Sequence, residues 1–261
     1  MPEGDTIHRA ANRIGRVLAG RVPDEIATPH PRFAMARWRE RLSARRVEAV
    51  TAYGKHLFIH WEGELVLHSH LGMTGAWGVY GAGERWRRAP RRAWLVVRSQ
   101  GHDVVEFDGP VLELVTESRA RFDQRIASLG PDILGDGWSE AEERRFIRRL
   151  REDDPTRPFG DALIDQRVVA GVGNVWKCEG CFEAGLDPWR PTRKVTDEEA
   201  LAVARATRPM MQRSAQEGHG VRPNAVYGRA GRPCPRCGAP ILRRGQGDGN
   251  RPTYWCPRCQ T

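Results

Sequence analysis

"CPRCGAPILRRGQGDGNRPTYWCPRC", residues 234–259, holds two Cys-x-x-Cys pairs, Cys234/Cys237 and Cys256/Cys259, with eighteen residues between them. Each pair lets two thiolates meet one metal, and the interval is long enough for a β-hairpin joining the pairs. Four thiolates in a tetrahedron make a closed structural site, so one structural Zn²⁺ is expected here. Disulfides are not expected. The start of the chain, "MPEGDT", has neither the basic n-region nor the apolar h-region of a secretory signal.

Upstream of the cysteines the pattern is helical, in "SEAEERRFIRRLRE", "FGDALIDQ", "NVWKCEGCFEAG" and "DEEALAVARATRPMMQRSAQ". The stretch "ALIDQRVVAGVGNVW" links two of these helices through Gly171 and Gly173, which suit backbone turns that side chains would obstruct. Asn174 then opens the next helix, where free N–H groups and an amide side chain make a phosphate contact. Between about 45 and 116 the period changes to short alternating apolar runs such as "HLFIHW", "ELVLHSHL" and "RAWLVVRS", which predict an antiparallel β-sandwich or barrel. Ahead of them Ile7, Ala10, Ala11, Ile14, Val17 and Leu18 fall at helical spacing, with Asp5 or Thr6 as a cap and Gly20 as a stop.

The whole is an α+β chain of two main domains. The expected divisions are 1–120 for an N-terminal helix and β-sandwich, 121–138 for a linker, 139–222 for a helical domain and 223–261 for a zinc finger. At 261 residues the chain is long enough for a sizeable core.

Its formal net charge of +9 favours a polyanionic partner, nucleic acid before an anionic membrane surface. No apolar run approaches the roughly 20 residues that span a bilayer, so no membrane partner is expected and the location is cytoplasmic. Arginine makes up 39 of the 42 basic residues, and the lysines are Lys55, Lys177 and Lys194. Unlike arginine, a partly buried lysine can take part in proton transfer.

Pro2 has its own chemistry. Removal of Met1 would leave its nitrogen as a free secondary amine beside the carboxyl of Glu3, and such an amine can attack an electrophilic sugar carbon. Three other features leave alternatives open. Cys178 and Cys181 are a redox pair, half of a metal site, or buried cysteines one helical turn apart. His68 and His70 share one face of a strand, as metal ligands lacking a third partner or as packed imidazoles. Lys55, beside Gly54 at a strand connection, is a phosphate contact or a solvated charge.

"PEGDT" at 2–6, "GKHLF" at 54–58, "SHLGMTG" at 69–75, "LGPDIL" at 129–134, "DQRVVAGVGN" at 165–174 and "RPTYWCPRCQ" at 251–260 occur in this order from end to end of the chain. By these motifs the chain resembles the formamidopyrimidine-DNA glycosylase/endonuclease VIII family, and "PEGDT" and the ending resemble the endonuclease VIII-like branch, actinobacterial type. The resemblance implies a helix–two-turn–helix domain carrying a zinc-stabilised β-hairpin, with damaged double-stranded DNA held between the domains, and a monomer. It implies a bifunctional DNA glycosylase/AP lyase of base excision repair. Oxidised bases, pyrimidines favoured, would leave through a Pro2 Schiff base followed by β,δ-elimination.

In that reading Glu3 protonates the sugar ring oxygen, and Lys55 contacts a phosphate and moves a proton in β-elimination. Arg251 clamps the phosphate that leaves in δ-elimination, and Met73 fills the space vacated by the flipped base. Two departures bear on lesion choice. A "DPRRFG"-like motif is replaced by "EFDGPVLELV", and Ser128 stands where the endonuclease VIII type has a DNA-contacting Arg. A cleft with fewer fillers leaves action on bulky or cross-linked lesions open. A non-catalytic zinc-ribbon DNA-binding or lesion-sensing protein, or an RNA- or ribosome-associated one, would share the charge and the cysteines. Neither needs Pro2, Glu3, Lys55 and Arg251 together.

Overall fold

The computed structural model describes residues 2–218 and 223–261. The chain falls into two compact units, one of Pro2 with residues 6–127 and one of Glu3–Asp5 with Ser128–Thr261. The expected border between helical domain and zinc finger, at 222/223, adjoins residues 219–222, which lie outside the described residues.

Helix α1 covers Gly4–Leu18. Its residues Ile7, Ala11, Ile14, Val17 and Leu18 are buried, at the spacing of one helical face. After Gly20, in the left-handed region at φ +77°, the chain turns away. The helix starts earlier than expected. Asp5 and Thr6 lie inside its first turn, and the Asp5 carboxylate accepts a 2.5 Å hydrogen bond from the Ser214 hydroxyl.

The first unit continues with β1 (Glu25–Ala27), α2 (Trp38–Leu42), β2 (Val47–Tyr53), β3 (His56–Trp61), β4 (Leu65–His70), β5 (Ala76–Gly81), β6 (Ala93–Ser99), β7 (His102–Phe107), β8 (Val111–Thr116), α3 (Glu117–Arg121) and α4 (Gln124–Ala127). Its strands form two antiparallel four-stranded sheets, ordered β1-β6-β7-β5 and β2-β3-β4-β8, the β-sandwich expected from the alternating runs. Leu57, Ile59, Trp61 and Leu67 from one sheet meet Leu95, Val97 and Val104 from the other in a core that α1 completes. Strand β1 and helix α2 were not anticipated. Three residues are too short a run for a period to register, and α2 is a single turn and a half.

Strand alternation turns His56, Phe58 and His60 to the opposite face, where His56 pairs with His70 and Phe58 with His68. His56 Nδ1 lies 2.8 Å from His68 Nε2. Burial, with neighbouring cationic groups, pushes the His56 imidazole down to about 3 and that of His68 to about 4. The ligand atoms of His68, Glu113 and Asp123 come within 4.8 Å of one another. The Arg125 guanidinium, however, sits 2.7 Å from Glu113 and 2.5 Å from Asp123, in the place a cation would take. The histidines are packed side chains of the sheet.

The second unit contains α5 (Glu140–Glu152), α6 (Phe159–Ile164), α7 (Asn174–Ala184) and α8 (Asp197–Glu217), then the hairpin β9 (Leu242–Gln246) and β10 (Arg251–Trp255). Phe146, Phe159, Leu163, Trp176, Val203 and Met211 belong to its helical core. Thr196 and Glu199 close a capping box at the start of α8.

Glu106 on β7 is fully buried. One carboxylate oxygen accepts the Gly109 N–H at 2.8 Å, and the other has no hydrogen-bond partner among the described residues. Burial raises this carboxyl to about 8. The native chain therefore keeps a proton that the unfolded chain releases, and stability falls as pH rises from about 4.5 toward 8. Glu106→Gln keeps an acceptor for Gly109 but cannot ionise. Relative to the parent, its stability should rise by on the order of 3 kcal/mol between pH 4 and pH 7. Denaturant titrations at the two pH values check this; a stability difference that does not change with pH would contradict it.

Candidate active site

Residues 165–173 form the irregular connection between α6 and α7. Gln166 organises it from within: its amide donates to the Ile164 and Val172 carbonyls at 2.8 and 2.9 Å, and its oxygen accepts the Gly171 N–H at 3.0 Å. The "LGPDIL" segment docks on the same connection, Gly130 N donating to Gln166 O, Ala170 N to Pro131 O and Ile133 N to Ala170 O, all at 2.9–3.1 Å. Two of the motifs that stand far apart in sequence are thus one piece of structure.

The N-terminal segment lies against this connection. Gly4 N donates to Gly171 O at 2.9 Å, and Gly171 takes φ +98°. The Glu3 carboxylate, 2 % exposed, sits at the start of α7. Its Oε1 accepts the Val175 N–H at 2.9 Å and its Oε2 the Trp176 N–H at 3.3 Å. Helix N-termini leave such N–H groups unpaired, and an anionic acceptor is favoured there. Gly173 makes the approach possible, since a Cβ there would come 2.2 Å from the Glu3 carboxyl carbon. Of the two glycines read from the sequence as turn formers, Gly171 fits that role and Gly173 serves for clearance, because its φ of −124° is ordinary extended backbone. Pro2, half-buried, immediately precedes Glu3.

Asn174 is 2 % exposed, and its amide donates to the Pro252 carbonyl of β10 at 2.8 Å. At least one of its N–H groups is therefore engaged by the hairpin. Arg251 opens β10, exposed, and pairs in register with Gln246. Lys55 occupies the two-residue turn between β2 and β3. Gly54 before it takes φ +56°, as the first central position of a type II′ turn requires. Burial, with the Lys55 charge added, lowers the His70 imidazole.

Met73 is not on a strand. It lies in the turn between β4 and β5 and is 70 % exposed. Arg88 Nη1 donates to the Thr74 carbonyl at 2.5 Å and to Asp108 Oδ2 at 3.0 Å, and Thr74 Oγ1 donates to the Asp108 carbonyl at 3.2 Å. The short connection at 108–110, where the "DPRRFG"-like motif is lacking, thus braces the turn that displays Met73. This Arg88–Asp108 brace was not foreseen, since nothing in the spacing of Arg88 singles it out from the other arginines of its loop.

The four cysteines of the hairpin converge. Cys234 Sγ and Cys259 Sγ are 3.9 Å apart, and Cys237 Sγ and Cys256 Sγ 3.5 Å. A tetrahedral Zn²⁺ with bonds near 2.3 Å requires sulfur separations of about 3.8 Å, so the donor set fits one structural zinc. Cys178 and Cys181 are separate from it, fully buried in α7. Burial pushes the Cys178 thiol up to about 11 and raises that of Cys181, and Cys178 Sγ accepts the Tyr254 N–H at 3.4 Å. These are properties of packed cysteines rather than of a reactive pair.

Two features of α7 escaped the sequence reading. The Glu179 carboxylate accepts the N–H groups of Ala225, Val226 and Tyr227 at 2.8–3.0 Å. Lys177, fully buried, reaches the hairpin. Its rarity among the basic residues was the only available signal.

Three family models match in series: the formamidopyrimidine-DNA glycosylase N-terminal domain over residues 1–123, the formamidopyrimidine-DNA glycosylase H2TH domain over 129–224 and the zinc finger found in FPG and IleRS over 231–261. Probable endonuclease 8 2 of Streptomyces coelicolor is 40 % identical over all of this chain and 94 % of its own. The DNA-(apurinic or apyrimidinic site) lyase Nei2 of Mycolicibacterium smegmatis is 37 % identical over all of this chain and 99 % of its own. Among solved structures, MutM (FPG) of Thermus thermophilus superposes with a TM-score of 0.79 at 30 % identity, covering 99 % of this chain and 98 % of that one. The fold is also that of the Lactococcus lactis Fpg in complex with an abasic-site DNA, with a TM-score of 0.82 at 20 % identity over the whole of both chains. On three consecutive domain matches and whole-length identity, the chain belongs to the formamidopyrimidine-DNA glycosylase/endonuclease VIII family.

Proposed function

We propose that this chain is a bifunctional DNA glycosylase/AP lyase of base excision repair that removes oxidised bases, pyrimidines favoured, from duplex DNA. The observation that carries the reading is the seating of Glu3 on the N-terminus of α7, which fixes the residue next to Pro2. The names of the relatives, endonuclease 8 and DNA-(apurinic or apyrimidinic site) lyase, agree with it.

With Met1 removed, the Pro2 secondary amine attacks C1′ of the damaged nucleotide, and the C1′–base bond breaks with the base taking a proton. The N–H proton that Pro2 loses on bonding C1′ passes through the Glu3 carboxylate to the ring oxygen as the ring opens, leaving an iminium between Pro2 and C1′. An α-amino pKa near 8 leaves part of the amine neutral at physiological pH. Loss of the C2′ proton, with Lys55 as proton-transfer partner and phosphate contact, breaks the C3′–O bond in β-elimination. Loss of the C4′ proton then breaks the C5′–O bond in δ-elimination, Arg251 holding the departing phosphate. Phosphates remain at both ends of the gap.

Met73 enters the space of the flipped base from its exposed turn. Asn174, buried and bonded to the Pro252 carbonyl, has at most one amide N–H left for a phosphate. Zinc, bound by Cys234, Cys237, Cys256 and Cys259, holds the hairpin that carries Arg251. The short 108–110 connection supplies fewer fillers beside Met73 than a "DPRRFG"-like motif would, which extends the reading to bulky or cross-linked lesions. Among the described residues no helix is long and apolar enough to cross a membrane. The net charge of +9 suits work on nucleoid DNA in the cytoplasm, and the family resemblance implies a monomer.

Borohydride trapping on duplexes with an abasic site or an oxidised pyrimidine tests the central step. The native chain, with Met1 removal confirmed by intact mass, should form a covalent adduct. An added N-terminal residue should abolish it, and Pro2→Gly should weaken it. No adduct from a correctly processed, zinc-loaded chain that still binds DNA would leave a non-catalytic DNA-binding protein as the reading. Chelating the zinc should suppress δ-elimination before β-elimination, because Arg251 loses its support while Pro2 and Lys55 do not; equal loss of both steps would count against that division of labour. Met73→Ala should lower kcat/KM on a damaged duplex by about tenfold, or ~1.4 kcal/mol in barrier. It should hardly change cleavage of a single-stranded abasic oligonucleotide, and equal losses on both would remove Met73 from the flipping step.

A further inference from the structure

Helix α7 presents one charged side chain to the hairpin. Lys177, 0 % exposed, donates from Nζ to Thr253 Oγ1 at 2.6 Å and to Gln246 Oε1 at 3.2 Å. Both acceptors are themselves buried and joined: Thr253 Oγ1 donates to Gln246 Oε1 at 2.7 Å, and Gln246 Nε2 donates to the Pro188 carbonyl at 2.9 Å. Gln246 is the register partner of Arg251, and Thr253 is two residues along the same strand, on the same face as Arg251. The ammonium thus grips both strands of the hairpin at the rung that bears the arginine.

A buried cation is costly and is retained only where its donors are satisfied. Here the titratable groups facing it are Cys178 and Cys181 of its own helix, which burial keeps as neutral thiols, Asp161 of α6 and Arg251 of the hairpin. The Asp161 carboxylate lies against the hairpin tip, where a Cβ on Gly247 would come 2.7 Å from it. An apolar side chain would fill the same volume without fixing the strands, since it offers no direction to the Gln246 and Thr253 oxygens.

We propose that Lys177 is a positioning residue for δ-elimination: by clamping Gln246 and Thr253 it sets where the Arg251 guanidinium stands relative to helix α7. That helix also seats Glu3, so Lys177 ties the two ends of the reaction to one rigid element. The inference rests on the reading of Arg251 given above. It assigns Lys177 no contact with DNA.

The test compares products from a duplex with a single abasic site, resolving the β-elimination fragment from the 3′-phosphate left by δ-elimination. Borohydride trapping and zinc content are measured in parallel for the native chain, Lys177→Met, Thr253→Val, Thr253→Ser and Arg251→Ala. Lys177→Met and Thr253→Val should slow δ-elimination by about tenfold, with trapping and β-elimination changed by less than about twofold and one zinc retained. Thr253→Ser, which keeps the hydroxyl, should restore the native product ratio. A merely structural role would lower trapping, both eliminations and zinc content together, and that result overturns the proposal. A native product ratio in Lys177→Met also overturns it; should that variant fail to fold, the ratio in Thr253→Val decides in the same way. Arg251→Ala separates the two layers. If it leaves the product ratio native, the assignment of Arg251 falls and takes this proposal with it; if it shifts the ratio while Lys177→Met does not, only the clamp is wrong.

Discussion

The carboxylate of Glu3 on the first N–H groups of α7 is the contact on which the N-terminus depends. It closes a distance of 172 residues in sequence and uses donors that every helix leaves unpaired at its start. Nothing larger than glycine at position 173 would allow it, because a side chain there would occupy the carboxyl group's own volume. The Gly4–Gly171 hydrogen bond adds a second point of attachment, and the buried Asp5–Ser214 bond a third. A chain terminus is ordinarily the loosest part of a protein. Here three consecutive residues after Pro2 are each tied down, which is what the proposed Pro2 nucleophile would need.

Helix α7 extends that support to the rest of the second unit. Asn174 bonds the Pro252 carbonyl, Lys177 the Gln246 and Thr253 side chains, Cys178 the Tyr254 N–H and Glu179 three consecutive N–H groups at 225–227. Four of its first six residues hold the segment that carries the zinc cysteines and Arg251. The zinc cysteines pack on the same helix, in one cluster with Cys178 and Phe182. The metal cross-links the base of the hairpin, and α7 holds its strands along their length. The burial of a lysine and a glutamate in one helix follows from this arrangement, since each finds several partners, Lys177 on the hairpin and Glu179 at 225–227.

In the first unit the same economy of contacts serves display rather than burial. The sandwich core is apolar and ordinary, while the outer face of β3 and β4 carries packed, neutral imidazoles sealed by the Arg125 ion pairs. At one edge Lys55 stands on a two-residue turn fixed by the conformation of Gly54, and Met73 projects from a turn braced by Arg88 and Asp108. Both side chains extend from rigid strand connections, so the sheet register sets their positions.

By itself the sequence determined the elements whose signals are local. Apolar periods of two and of 3.6 residues marked the sandwich strands and the helices of the second unit, and paired Cys-x-x-Cys spacing marked the zinc. Pro2, Glu3, Lys55 and Arg251 were singled out because a known pattern of motifs runs the length of the chain, and their roles are the proposal made above. Tertiary structure alone decided what those residues rest on. The docking of Glu3 on α7, the use of Gly173 as clearance, the Lys177 clamp, the Glu179 cap and the Arg88 brace all join residues far apart in the chain. A hydrogen bond between distant segments leaves no period and no spacing in sequence; it exists only once packing has brought donor and acceptor together and removed the water that would otherwise satisfy them.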